Sequence, residues 1–204
     1  MKKTSLGLFS LVAAAAFAVP AHAQIPNITP FSLEVRGGLA VPTGDFGEKV
    51  GDDPSVETGY TVGANATYHF MPLLGVYAGY TYNRFGLDGF DGVDVVDQGL
   101  SAGVRVAVPT PLIPIDPYLK AGVVYNRVGF EFDEGDDGGE LDDATESDQS
   151  LGFEVGAGIG IGLGPKLSFT PQVTYTRYEP QFDGEGIEVN VEHVRVDVGL
   201  RIRL

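Results

Sequence analysis

The sequence contains no cysteine and no tryptophan. Without cysteine, disulfide bonds cannot stabilise the fold, so stability has to come from a packed core or from a bilayer. Positive charge is also scarce. The sequence has 13 lysine and arginine residues against 28 acidic residues, which gives a formal net charge of −15. This acidity argues against nucleic acid as a partner, and against anionic lipid head groups unless divalent cations bridge them.

Long hydrophobic runs are missing as well. Beyond residue 23, no stretch approaches the roughly 18 consecutive apolar residues that a membrane-spanning helix needs. A shorter apolar run, residues 6–18, follows Lys2 and Lys3 and precedes the small residues around position 22. That order predicts a secretory signal peptide over residues 1–23. The mature chain, residues 24–204, is long enough for one domain and, without the two lysines, has a net charge of −17.

In place of a helical period, the chain shows alternation of apolar and polar residues with a period of two. The last segment, residues 193–204, has valine, leucine or isoleucine at every even position and histidine, arginine, aspartate or glycine at every odd one. Successive side chains of a strand point to opposite faces, so this segment is predicted as a strand with one apolar face. Seven earlier segments alternate similarly: 31–41, 59–70, 74–85, 96–108, 117–128, 150–163 and 167–178.

The length of these segments favours a membrane barrel over a soluble one. They run for about 11 to 14 residues, whereas soluble strands have about five or six and a tilted membrane strand needs roughly nine to eleven. Their polar face consists of glycine, small polar residues and isolated charges, which is too wet for a soluble core. Aromatic residues lie mostly towards the segment ends, where interfacial girdles are expected: Tyr60, Tyr68, Phe70, Tyr80, Tyr82, Tyr118, Tyr125, Phe169 and Tyr175.

The connections between the segments alternate between long and short, and the longer ones carry most of the 28 acidic residues. Outer-membrane barrels have short periplasmic turns and long extracellular loops. We therefore predict an all-β fold, an eight-stranded antiparallel up-and-down transmembrane β-barrel with its apolar face towards lipid. Pro171 lies inside the seventh segment and cannot donate to the ladder, so a bulge or a local break is predicted there.

Several short motifs resemble those of a known family. Gly37-Gly38, the run from Pro42 to Phe46, and Tyr77-Ala78-Gly79-Tyr80, together with the eight segments, resemble the OmpA/OmpX-like superfamily of small outer-membrane β-barrels. The resemblance implies a location in the cell outer membrane and contact with its lipids, including lipopolysaccharide. It also implies dependence on the barrel-insertion machinery, which reads a terminal aromatic residue in most members, whereas this sequence has Leu204.

Eight charged residues fall on the polar face and are predicted to form a charge network in the lumen: Glu34, Arg36, Arg105, Lys120, Glu154, Arg195, Asp197 and Arg201. An unpaired charge in a closed lumen is costly, so we expect these side chains to pair. The first and last strands are neighbours in a closed barrel, which places Glu34 near Arg201 and Arg36 near Asp197. Glu154 is expected to reach a basic residue across the lumen. Such a network either plugs the barrel or acts as a gate for a small conductance.

Other candidate sites are weaker. Residues 131–143 resemble part of an EF-hand loop, but Gly135 and Ala144 stand where ligand oxygens are needed, so a solvated acidic loop with at most weak divalent-cation binding is predicted. His69 and His193 fall on the polar face at opposite ends of the barrel, with no serine beside either on the lipid face. No catalytic residue, cofactor or resident metal is predicted.

These observations predict a monomeric outer-membrane protein with a structural or surface-interaction role and long acidic extracellular loops. Three alternatives stay open. The first is a narrow channel or a conduit for small or hydrophobic solutes, as in OmpW-like barrels. The second is a soluble periplasmic barrel of lipocalin type, which requires an apolar lumen. The third is an adhesin, which differs only in what the loops contact.

Overall fold

The computed structural model describes residues 30–47, 56–87, 89, 93–110, 115–132, 149–180 and 190–204. In these residues, eight antiparallel strands close into a barrel in chain order, with the last strand pairing with the first. The strands are β1 (Phe31–Thr43), β2 (Gly59–Met71), β3 (Leu74–Gly86), β4 (Val93–Ala107), β5 (Ile115–Phe132), β6 (Ser150–Gly162), β7 (Leu167–Tyr178) and β8 (Val191–Arg203). A short 3-10 helix, Gly44–Phe46, follows β1. The predicted fold class is confirmed.

The barrel has two distinguishable ends. The start of β1, the end of β8 and the short β2–β3 turn lie at one end, called here the lower end, and the longer connections lie at the upper end. The strands extend further at the upper end than the sequence predicted, because β4 begins at Val93 and β5 continues to Phe132. Asp94 and Glu131, which were predicted in connections, therefore lie in strands. No helix among the described residues is long and apolar enough to cross a membrane.

Apolar side chains point outwards from the barrel and polar side chains point inwards. On β1, Val35 is 62 % exposed whereas the neighbouring Glu34 is only 4 % exposed. On β8, Val196 and Val198 are about half exposed while Asp197 between them is buried. The polar interior contradicts the lipocalin-type alternative, which requires an apolar lumen, and it leaves an outer surface suited to hydrocarbon.

The strands are staggered around the barrel. Following the paired residues from Leu33 on β1 through all eight strands leads back to β1 at Thr43 instead of Leu33. A stagger of this kind is what tilted strands require to close a barrel. The register between β2 and β3 shifts between His69 and Met71, next to their turn, which the sequence did not predict.

Pro171 interrupts the ladder on one side only. Pairing of β7 with β8 is continuous through Pro171 and Val198. On the other side, pairing with β6 lapses between the Gly158–Gln172 pair and the Ile161–Phe169 pair, and it resumes in the same register. The missing N–H of proline thus produces the predicted local break without a bulge.

Aromatic side chains form two belts on the outer surface. The lower aromatic belt includes Phe31 and Tyr68, whose ring centroids are 5.7 Å apart. The upper aromatic belt contains two such pairs, Tyr60–Tyr82 at 6.4 Å and Phe153–Tyr175 at 6.1 Å. The apolar wall between the belts is the part of the molecule suited to the hydrocarbon core.

Candidate functional site

The middle of the lumen is organised around the buried carboxylate of Glu154, which is fully inaccessible to solvent. The hydroxyl of Tyr77 donates to its Oε1 at 2.7 Å, and Lys120 Nζ donates to the same oxygen at 3.0 Å. Arg195 Nη2 donates to Oε2 at 2.8 Å. These four residues, the Glu154 cluster, come from β3, β5, β6 and β8, so their contacts cross the lumen from wall to wall.

A second group of charges lies nearer the lower end. Arg201 donates to Oε2 of Glu34 through Nε at 2.7 Å, and Arg36 contacts the other oxygen of the same carboxylate. Arg36 also lies 2.9 Å from Asp197, and Arg105 lies 3.7 Å from Glu34. The structure therefore brings Glu34 to Arg201 and Arg36 to Asp197. We call these five residues the Glu34 cluster.

Tyr118 belongs to the lumen, and its prediction as an interfacial aromatic is wrong. It is 2 % exposed, because it shares the face of β5 that carries Lys120 and not the face that meets lipid. The guanidinium carbon of Arg105 lies 3.4 Å from the centre of its ring, a cation–π contact. Its hydroxyl donates to Gln172 at 3.0 Å. This cation–π contact offsets part of the free-energy cost of burying Arg105, whose guanidinium lies 3.7 Å from the carboxylate of Glu34.

A third polar group, centred on Asp97, was not predicted from the sequence. This carboxylate is fully buried and accepts hydrogen bonds from Asn83 and Asn126, both at 2.9 Å, and from the hydroxyl of Tyr178 at 2.8 Å. His193 Nδ1 lies 3.6 Å from it. Asp97 shares its parity with Gly99 and Ser101 on β4, and that parity was the available signal. These five residues form the Asp97 cluster.

Apolar side chains close the upper mouth of the lumen, which the sequence analysis also missed. Phe46 of the 3-10 helix packs edge-on against Phe85, with ring centroids 5.5 Å apart. The apolar plug consists of Phe46, Phe85, Val95, Val128 and Val191, all buried. It covers the Asp97 cluster, because the ring of Phe85 also lies 5.9 Å from that of His193.

Little empty space remains between these layers. A cavity of about 10 Å³ lies between the Glu34 and Glu154 clusters, lined by residues that include Glu34, Tyr77, Arg105 and Tyr118. That volume holds about one water molecule. The interior of an eight-stranded barrel is just wide enough for its own side chains to fill, in agreement with the three polar clusters and the apolar plug in the described lumen.

No group of three or more histidine, cysteine or acidic side chains suited to a metal ion occurs within the part of the chain that the structure describes. The candidate acidic loop, residues 131–143, begins with the last two residues of β5, and its residues from 133 onwards lie outside the described part of the chain. The candidate signal peptide, residues 1–23, also lies outside it. His69 lies near the lower end and His193 near the upper end. They are therefore too far apart to act on one substrate atom.

A family model and one solved structure agree with this architecture. A family model described as "Outer membrane protein beta-barrel domain" matches residues 9–201. Neisserial surface protein A is similar in structure, with a TM-score of 0.64 and 19% identity over 86% of this chain and 97% of that chain. OprG from Pseudomonas aeruginosa has a TM-score of 0.48 and 16% identity, covering 85% and 96%. Ail of Yersinia pestis has a TM-score of 0.46 and 15% identity, over 84% of this chain and 97% of that chain. No curated protein sequence matches.

Proposed function

Because the chain belongs to the outer membrane protein beta-barrel family, we propose that it is an integral outer-membrane protein with a structural or surface-interaction role and a lumen that does not conduct. The observation that carries this proposal is the Glu154 cluster, which joins four strands across the interior through hydrogen bonds of 2.7 to 3.0 Å. Ion flow would require these buried charges to separate, and separated charges in a dry interior are unfavourable.

The layers above and below the Glu154 cluster support the same proposal. The Glu34 cluster fills the lower half of the lumen, and the apolar plug closes the upper mouth. An ion would therefore have to pass three polar networks and one apolar seal in series. The conduit alternative needs all four layers to rearrange together.

The proposal includes export and orientation. Residues 1–23 act as a signal peptide, both termini of the mature barrel face the periplasm, and the long acidic connections face the exterior. Outer-membrane lipids, including lipopolysaccharide, are the proposed partners of the wall, and the barrel-insertion machinery is the partner during biogenesis. No catalytic residue, cofactor or resident metal is assigned. Cell fractionation, with a gel that compares boiled and unboiled samples, tests the location and the folded barrel.

Planar-bilayer recording of single molecules tests the closed lumen. We expect the wild-type protein and Glu154→Ala to give no discrete openings, because the Glu34 cluster, the Asp97 cluster and the apolar plug persist when Glu154 is removed. Asp116→Ala, which changes an exposed carboxylate at the lower end, is the matched control. Openings of the wild-type protein would support the channel alternative, and openings of Glu154→Ala alone would make Glu154 a gate.

A further inference from the structure

A three-residue motif recurs near the upper ends of three strands that run from the lower end of the barrel to the upper end. In each copy a tyrosine is followed by a small polar residue and then by an arginine: Tyr82-Asn83-Arg84 on β3, Tyr125-Asn126-Arg127 on β5 and Tyr175-Thr176-Arg177 on β7. The motif therefore stands on every second strand over more than half of the circumference. We call its three arginines, together with the three tyrosines, the Tyr-x-Arg belt.

The strand alternation sends the parts of each motif to opposite sides of the wall. The tyrosine and arginine point outwards, and the middle residue points into the lumen. Asn83 and Asn126 both donate to the buried carboxylate of Asp97 at 2.9 Å, and Thr176 is also buried. The Asp97 cluster thus fixes the β3 and β5 copies from within, which leaves their arginines held on the outer surface.

The arginines sit directly above the upper aromatic belt, where hydrocarbon gives way to head groups. Tyr82 and Tyr175 belong to that belt, and each arginine follows its tyrosine by two positions on the same face. Between the two aromatic belts, none of the outward-facing strand residues that the structure describes is charged. The remaining cations of the described chain lie in the lumen or, as Lys166 and Arg203 do, at the lower end.

Two of the arginines, Arg84 and Arg177, have acidic neighbours that do not bury them. Arg84 donates to Asp94 through Nε at 2.9 Å and Nη2 at 2.6 Å, lies 3.7 Å from Glu131, and has a side chain that is 30 % exposed. Arg177 lies 3.2 Å from Glu192 and is 42 % exposed. Ion pairs this accessible are worth about 1 kcal/mol or less, so a stronger bidentate acceptor can replace or share the carboxylate.

We propose that the Tyr-x-Arg belt binds the phosphate groups of glycolipid in the outer leaflet. A guanidinium donates two parallel hydrogen bonds to a phosphate, and a tyrosine ring at the interface packs against acyl chains while its hydroxyl stays wet. The belt gives the mature chain, with its net charge of −17 after loss of Lys2 and Lys3, a cationic contact with an anionic leaflet. The proposal rests on the orientation given above and is independent of whether the lumen conducts.

Native mass spectrometry of the full-length barrel in detergent tests the proposal. The probes are diphosphoryl lipid A and the same lipid after dephosphorylation, both with EDTA so that no divalent cation bridges phosphate to the acidic side chains. We expect the wild-type protein to bind the phosphorylated lipid about tenfold more strongly than the dephosphorylated lipid. Each basic side chain near an anionic surface strengthens binding by a factor of similar size. Arg84→Gln/Arg177→Gln is expected to lose most of this preference.

The matched control is Lys166→Gln/Arg203→Gln, which removes two positive charges at the lower end. Like the Arg84/Arg177 variant, it leaves a carboxylate without its arginine, here Asp116, which accepts a hydrogen bond from Arg203. It is expected to keep the preference. Equal binding of the two lipids by the wild-type protein, an equal loss in the control, or full binding by the Arg84/Arg177 variant would each overturn the proposal.

A gel of unboiled protein reports whether each variant is folded. Where the glutamine variant does not fold, Arg84→Lys/Arg177→Lys takes its place, because it keeps the charge and loses the bidentate geometry. It is expected to bind phosphorylated lipid A several-fold more weakly than the wild-type protein. Unchanged affinity of the lysine variant would contradict the guanidinium–phosphate contact.

Discussion

Glu154 neutralises two cations that are largely shielded from solvent, since Lys120 and Arg195 are 8 % and 5 % exposed. Replacing Glu154 with alanine leaves both cations buried without their acceptor. Removing one partner of a buried ion pair typically costs about 3 to 5 kcal/mol, and we expect a loss of that size in the free energy of unfolding. Denaturant titration of the barrel in lipid vesicles, with folding followed on a gel, measures it.

Asp116→Ala provides the comparison for this prediction, because the Asp116–Arg203 pair is exposed at the rim. Its loss is expected to change the free energy of unfolding by less than about 1 kcal/mol. Similar costs for the two variants would mean that the lumen is wet enough to screen the Glu154 cluster. Glu154→Gln, which keeps an acceptor oxygen and loses the charge, should fall between the alanine variant and the wild-type protein.

Contacts between neighbouring strands were predictable from the sequence residue by residue, whereas for Glu154 the sequence predicted a basic partner across the lumen without identifying it. Glu34 and Arg201 stand directly opposite each other on β1 and β8, and that adjacency follows from closing the barrel. Glu154 and Arg195 lie on strands that do not pair, so side-chain length and stagger decide which basic residue arrives. Asp97 lies inside the predicted segment 96–108, but two apolar residues followed by two polar ones, from Val95 to Gln98, obscure the alternation at that point.

At the scale of elements, β6 shows how one strand makes room for its neighbours. Most of its inward-facing residues are glycine. A Cβ placed on Gly158 would lie 2.5 Å from the ring of Tyr118 and 2.9 Å from Cβ of Gln172. Bare backbone at this position is what allows the Tyr118 ring and its partner Arg105 to occupy the lumen. The face is therefore a complementary surface for bulky side chains on β5 and β7.

Gly158→Val is expected to displace Tyr118 and to destabilise the barrel by about 1 to 3 kcal/mol, the usual cost of overpacking. Ala157→Val, at the preceding position of β6, places a valine on the exposed outer face instead. It should change stability by less than about 0.5 kcal/mol. The two free energies of unfolding are compared in vesicles of one lipid. Equal effects would mean that the inner face of β6 has spare room.

The bounds of the strands were predictable only where the two faces of the wall differ in polarity. In the middle of the barrel, valine and leucine meet lipid while glycine and charged residues meet the lumen, so the alternation is plain. Above the upper aromatic belt the inward face becomes apolar, as at Phe85, Val95 and Val128. The contrast disappears there, and β4 and β5 extend beyond their predicted ends.

The whole molecule is polar at its centre and apolar on its outer wall. Three polar clusters and the apolar plug are stacked along the lumen, and on the outside two aromatic belts bracket the uncharged wall. Each level inside has a counterpart outside: the Asp97 cluster lies behind the Tyr-x-Arg belt, and the Glu154 cluster lies behind aliphatic residues. Strand register therefore fixes which interior cluster stands behind which outward residues.

Depth along β1 gives the sharpest test of this arrangement. Val35 is 62 % exposed and lies midway between Phe31, in the lower aromatic belt, and Leu39, which pairs with Tyr60 of the upper belt. Val41 points outwards beyond that pair. In lipid vesicles, Val35→Arg is expected to cost about 2 to 4 kcal/mol of unfolding free energy, because it places a charge near the bilayer midplane. Val41→Arg should cost about 1 kcal/mol or less, because its guanidinium reaches the head groups. Equal costs at the two positions would contradict the placement of this wall in hydrocarbon.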